Sequence, residues 1–112
     1  MFNRKVGIIM NKSVFLSYKD VDGIVKSTVD TWDVINGLMF NPEVEQIACF
    51  ELSVSGRTYN ERKDNLRDKT IDYSICEKGD MYASELGEIY NFFETFGKRY
   101  GLTKEFRENC II

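Results

Sequence analysis

The first candidates for chemistry are two thiols, Cys49 and Cys76. A thiol becomes a nucleophile or redox centre when a nearby cation or imidazole lowers its pKa. Cys49 has no basic residue in its strand, Lys78 is the one cation close to Cys76, and the chain contains no histidine. The absence of histidine also removes Ser-His-Asp and Cys-His triads, histidine general bases and histidine-ligated zinc or iron. Carboxylate, lysine, tyrosine, cysteine and arginine chemistry is what remains. No CxxC, HExxH, glycine-rich phosphate loop or recognisably spaced pair of catalytic carboxylates occurs. The expectation is therefore a protein that is not an enzyme and needs no cofactor or metal. Cys49 and Cys76 read more simply as small apolar residues on a half-covered sheet face.

Three further sets of residues can bind rather than react. Arg57, Arg62, Lys63, Arg67 and Lys69, with Tyr59 among them, can grip phosphates while the ring stacks on a base. Glu61, Asp64 and Asp68 are interleaved with them and can pair locally at helical spacing, which makes a solvated helix face the simpler reading. The second set is acidic: Asp20, Asp22, Asp30 and Asp33, with Glu43 and Glu45 following. It offers a docking face for a basic partner, or an electrostatic mimic of nucleic acid. The third is Phe92, which falls off the apolar stripe of its helix and so is expected either to be exposed, as an anchor in a protein contact, or to cover a second surface.

These groups must be positioned by a small set of elements. Val6–Met10 reads as a short buried strand, turned by Asn11-Lys12 into a second strand over Ser13–Lys19, where Val14, Leu16 and Tyr18 alternate against Phe15, Ser17 and Lys19. Asp20 is placed to cap a helix in which Val21, Ile24, Val25, Thr28, Trp32 and Ile35 recur at helical spacing, with Asn36-Gly37 as its stop. Its many β-branched residues work against that helix. Asn41-Pro42-Glu43 reads as a turn. Ile47–Val54 is the clearest strand, and residues 70–77 repeat its alternation. One antiparallel register pairs Val54 with Ile71, Leu52 with Tyr73 and Phe50 with Ile75, and so sets Cys49 opposite Cys76 at roughly 4.5–5.5 Å between Cα atoms.

Between those two strands Thr58 and Glu61 have capping-box spacing, so Tyr59–Asp68 is either a short polar helix with Leu66 turned inward or a long loop. Ser84 is expected to cap a second main helix. Its stripe is Leu86, Ile89, Tyr90, Phe93, Phe96 and Tyr100, and Gly101 ends it. Thr103 is expected to cap a last short helix. The sum is an α+β fold: a small antiparallel sheet with two main helices packed on one face.

At 112 residues, 43% of them apolar, the chain reads as one domain spanning residues 1–112 with enough apolar side chains for its own core. Three cysteines without metal spacing fit a reducing compartment, and the longest early apolar run, Val6–Met10, is too short for a signal core or a membrane span. A cytosolic protein without membrane contact is expected. The net charge of −3 is small, but it is unevenly laid out. Residues 20–51 carry seven acids against Lys26 alone, and residues 70–94 carry six against Lys78. Residues 57–69 and 98–112 are each net basic.

Two stretches carry a resemblance. Gly56-Arg57-Thr58-Tyr59-Asn60-Glu61-Arg62-Lys63 running to Ile71-Asp72-Tyr73-Ser74 is one, and Gly97-Lys98-Arg99-Tyr100-Gly101-Leu102 running to Phe106-Arg107-Glu108-Asn109 is the other. Both resemble small accessory proteins of phages and integrative elements of Gram-positive bacteria. The resemblance implies a genomic setting in which many small acidic proteins bind and inhibit host defence machinery, CRISPR effectors among it. It assigns no role to any residue. The expected function is a protein-binding module of this inhibitory kind, its partner a host effector or nuclease. The working surfaces would be Asp22, Asp30 and Asp33, residues 57–69, and Phe92. A nucleic-acid or nucleotide-binding accessory protein that uses the basic 57–69 and 98–107 segments is the alternative, and a homo-oligomer is a third.

Overall fold

The computed structural model describes residues 12–112. β1 (Ser13–Lys19) is followed by β2 (Val25–Thr31), α1 (Trp32–Met39), β3 (Glu45–Glu51), α2 (Tyr59–Ser74), α3 (Ala83–Arg99) and α4 (Thr103–Glu108). Among the described residues the strands form one antiparallel sheet in the order β2-β1-β3. This is the expected α+β architecture. The strand expected over Val6–Met10 lies outside the described residues, and β1 already has a strand on each side.

Pairing sets Phe15 of β1 beside Val29 and Phe50, and Ser17 beside Ser27 and Ala48. That face meets the aromatic core contributed by α2, α3 and α4: Leu66, Tyr73, Ile89, Phe92, Phe93, Tyr100 and Phe106. Alternation turns Val14 and Leu16 to the other face, where α1 covers them with Ile35. Phe15, Val14 and Leu16 are all fully buried, so β1 is closed on both sides.

The helix expected from Asp20 is replaced by a hairpin turn and a strand. Asp20 does not cap a helix; its Oδ1 accepts the backbone N–H groups of Asp22 and Ile24, each at 2.9 Å, closing a turn. Gly23 takes φ 80°, which a side chain would resist. Those bonds, Ile24's first, and the Lys26 ammonium at 2.9 Å hold the Asp20 carboxyl below the usual carboxylate range. Beyond the turn, the β-branched Val25, Thr28, Val29 and Thr31 form β2, where stiff χ1 angles are an advantage. The apparent helical spacing had joined residues of a turn, a strand and α1. That helix then runs through Asn36-Gly37 to Met39.

The strand expected over 70–77 is also absent: residues 70–74 are the last turns of α2. Leu66, Thr70 and Tyr73 line its buried face at helical spacing, while Ile71 and Ile75 are left 61% and 68% exposed. The helix begins where the capping signal placed it. Thr58 Oγ1 accepts the Glu61 N–H at 3.0 Å, and Glu61 Oε1 in turn accepts the N–H of Arg57 at 2.9 Å. Strong helix formers between Glu61 and Lys69 carry the helix past the short alternating stretch.

α3 starts one residue before the expected Ser84, with Tyr82 at its cap, and ends before Gly101 as expected. A Cβ on Gly97 would come within 3.0 Å of the Phe106 ring, so glycine there lets α4 lie close against α3. Two outward N–H groups of edge strand β2 are met by carboxylates. The Ser27 N–H donates to the Asp80 carboxylate at 3.2 Å, and the Val29 N–H donates to Glu85 Oε2 at 3.0 Å. Glu85 Oε2 also accepts the Thr28 hydroxyl at 2.8 Å, and Glu85 Oε1 accepts the Tyr82 N–H at 2.9 Å. One carboxylate thus joins the start of α3 to the sheet and takes the place of a neighbouring strand.

Candidate functional site

Among the described residues, the cover of the second face of the sheet is α1. Of the eight residues in that helix only Ile35 is buried. Trp32 is 37% exposed and Val34 45%; Phe40, just past the helix end, is 89% exposed. Ile47, at the irregularity where β3 shifts register against β1, is also exposed. An exposed phenylalanine gains nothing from folding, so its apolar area is available to a partner.

Carboxylates surround this helix. Val14 pairs with Asp30 on one side and Glu51 on the other, so both acids flank β1 on the α1 face. Asp30 Oδ1 accepts the N–H of Thr31, and Glu51 Oε2 accepts the Trp32 indole N–H at 2.6 Å. Asp33 lies in the first turn of α1, where the helix dipole favours an acid. Beyond Phe40, Asn41 closes a tight turn by accepting the Glu43 N–H at 2.9 Å, and Glu43 and Glu45 carry the acidic run into β3. Among the described residues, no lysine or arginine forms an ion pair with Asp30, Asp33, Glu43 or Glu45.

The residues expected to bind divide as follows. Asp30 and Asp33 belong to this surface. Asp22 does not: it sits on the β1–β2 turn, the length of β2 away, roughly 20 Å at strand rise. Arg57, Tyr59, Arg62 and Lys63 gather at the start of α2, remote in sequence and element from α1. Arg67 is already engaged, with Nη2 2.9 Å from Glu105 of α4; that bond raises the guanidinium's affinity for its proton and holds the Glu105 carboxyl below its ordinary range. Lys69 is engaged too, donating to Ser53 O and Asn65 Oδ1, and its burial pulls its pKa down.

Phe92 is not exposed. It is 6% accessible and packs on Phe93 and Phe96 at ring-centroid distances of 5.1 and 5.3 Å. The buried stripe of α3 is rotated from the expected one, towards Ile89, Phe92, Phe93 and Phe96. Leu86 and Tyr90 are consequently exposed. Phe92 also helps line an open groove of about 300 Å³ between α3 and the start of β1, in which Ser13 hydrogen-bonds Glu88.

Cys49 and Cys76 do not face each other. Cys49 pairs with Leu16 on the α1 face, while Cys76 packs in the aromatic core on the opposite face. The expected pairing fails because residues 70–77 supply no strand. Burial pushes both thiols up, away from the reactive thiolate. Among the described residues no group of three or more His, Cys, Asp or Glu side chains is arranged to hold a metal ion. No described helix is long and apolar enough to cross a membrane.

Sequence reasoning missed Phe40, Val34 and Ile47. The available signal was Phe40 immediately before Asn41-Pro42: a large aromatic entering a turn has little core to reach. No protein-family model, no curated protein and no solved structure matches the chain.

Proposed function

We propose that this protein is a non-enzymatic binding module that engages another protein through α1. One observation carries the reading: Trp32 and Val34 are exposed on a helix that buries only Ile35, Phe40 is exposed just past its end, and carboxylates without an ion pair among the described residues lie beside them. Aromatic and aliphatic anchors inside a charged rim are the usual anatomy of a protein interface. The rim here is acidic, so the fitting partner offers an apolar pocket bordered by lysine and arginine. Proteins that handle nucleic acid present such basic surfaces. The resemblance to phage and integrative-element accessory proteins supports a partner of that class: a host effector or nuclease whose nucleic-acid surface this acidic face would occupy, inhibiting it.

A tagged pull-down from a bacterial lysate, with and without nuclease, tests the reading. A stoichiometric protein should be recovered in both samples, and Asp30→Lys with Asp33→Lys should abolish its recovery. Recovery undiminished by the double reversal would overturn the assignment of this face. Self-association through α1 would show instead as a doubled mass in size-exclusion chromatography that the same reversal does not reproduce.

A further inference from the structure

The helices on the other face of the sheet carry a second charged surface that the α1 reading does not use. The Tyr59 ring, at the first residue of α2, lies against Tyr100 at the end of α3, with centroids 5.3 Å apart and the planes tilted by 51°. Tyr100 is buried, whereas Tyr59 is 54% exposed, so Tyr59 has one face seated and the other towards solvent. This contact brings together two stretches that are each basic. Arg57, Arg62, Lys63, Lys98, Arg99 and Lys104 all lie within four positions of one ring or the other. The same windows hold a single acid, Glu61, and its Oε1 is taken by the Arg57 N–H. None of the six cations forms an ion pair among the described residues.

Lys98 and Arg99 have another explanation, since the last turn of a helix favours cations. Arg57, Arg62, Lys63 and Lys104 have no such explanation. Arg62 donates through Nε to Gly56 O at 2.9 Å, which anchors the side chain and leaves its terminal nitrogens without a hydrogen-bond partner among the described residues. Lys63 Nζ stands 6.0 Å from the Tyr59 centroid, at the outer limit of a cation–π contact and ready to exchange the ring for a phosphate.

We infer that this surface binds single-stranded nucleic acid, with Tyr59 as the stacking platform for a base and Arg57, Arg62, Lys63 and Lys104 on the flanking phosphates. A half-exposed ring with Lys63 6.0 Å from it and further cations on the same two stretches suits an unpaired strand, whose bases can stack, better than a duplex, whose bases cannot reach the ring. The inference does not depend on the α1 reading, and the Asp30→Lys, Asp33→Lys variant should bind nucleic acid no worse than wild type.

The experiment is fluorescence anisotropy with labelled mixed-sequence single-stranded RNA and DNA, against heparin as a base-free polyanion. Binding should appear at about 50 mM salt and weaken steeply towards about 200 mM. Arg62→Ala with Lys63→Ala should weaken both ligands about tenfold or more and lower the salt slope by about 1.4 for the single strands. Tyr59→Leu should weaken the single strands about fivefold or more and leave heparin unchanged, while Tyr59→Phe, which keeps the ring and its packing on Tyr100, should bind like wild type. No binding at low salt, binding indifferent to the Arg62/Lys63 change, or equal loss of heparin and single strands in a folded Tyr59→Leu protein would each overturn the proposal. If Tyr59→Leu does not fold, equal affinity of wild type for heparin and for single strands of matched charge would overturn the stacking role.

Discussion

The two faces of the sheet share β1 but are finished differently. On one, Phe15 meets Phe50 at 5.0 Å and Tyr73 at 5.4 Å, and Phe93 continues the contacts to Phe106 at 5.9 Å, under three helices. On the other, Val14, Leu16 and Ile35 are the buried cluster, under the eight residues of α1. A strand whose residues are buried on both sides stabilises the fold through both faces, yet the area left over differs. On the aromatic face most of the large side chains are used up in packing. The α1 face keeps Phe40, Val34, Trp32 and Ile47 in contact with solvent among acids. On the proposed reading, the first face chiefly stabilises the fold and the second is the one that binds another protein.

Truncations on the two faces should therefore separate. Phe93→Ala removes a fully buried ring that touches Phe50, Tyr73, Phe92 and Phe106, and should cost about 3–5 kcal/mol in urea unfolding. Ile35→Ala empties the smaller cluster, which α1 can partly collapse upon, and should cost roughly 2 kcal/mol. A larger loss at Ile35 than at Phe93 would break the comparison.

Glu85 tests the joint between α3 and the sheet. Burial alone would push its carboxyl up, but bonds from the Val29 N–H, the Tyr82 N–H and the Thr28 hydroxyl outweigh that and leave it below the ordinary glutamate value. A carboxyl lowered by folding stabilises the protein above its unfolded pKa, and that contribution disappears as pH falls through the folded pKa. Glu85→Gln should thus destabilise by roughly 1–2 kcal/mol at neutral pH, a figure already reduced for the solvent that reaches this group. The gap between wild type and variant should close as pH drops below the ordinary glutamate range. A gap that stays constant well below that range would mean that shape and not charge holds the joint.

Legibility in the sequence followed the contrast between apolar and polar positions. β1, β3, the Thr58 cap and α3 with its Gly101 stop stood out because each has a clear period or a terminal signal. β2 was hidden because Val25, Thr28 and Trp32 fit a helical period across a boundary that only the Asp20 turn reveals, and that turn depends on where Asp20 Oδ1 points. The end of α2 was hidden because Ile71, Tyr73 and Ile75 alternate by chance, with two of the three exposed. The site was half legible: charge located Asp30 and Asp33, but the apolar anchors depend on which residues the fold fails to bury. Phe92 is buried and Phe40 exposed for that reason.

Capture of a partner by Phe40→Asp, compared with wild type at a matched unfolding midpoint, bears most directly on the claim that the α1 face is the working one. An exposed residue should change stability by no more than about 0.5 kcal/mol, so the predicted result is an unchanged midpoint with partner capture lost. Full capture by a folded Phe40→Asp protein would contradict the claim.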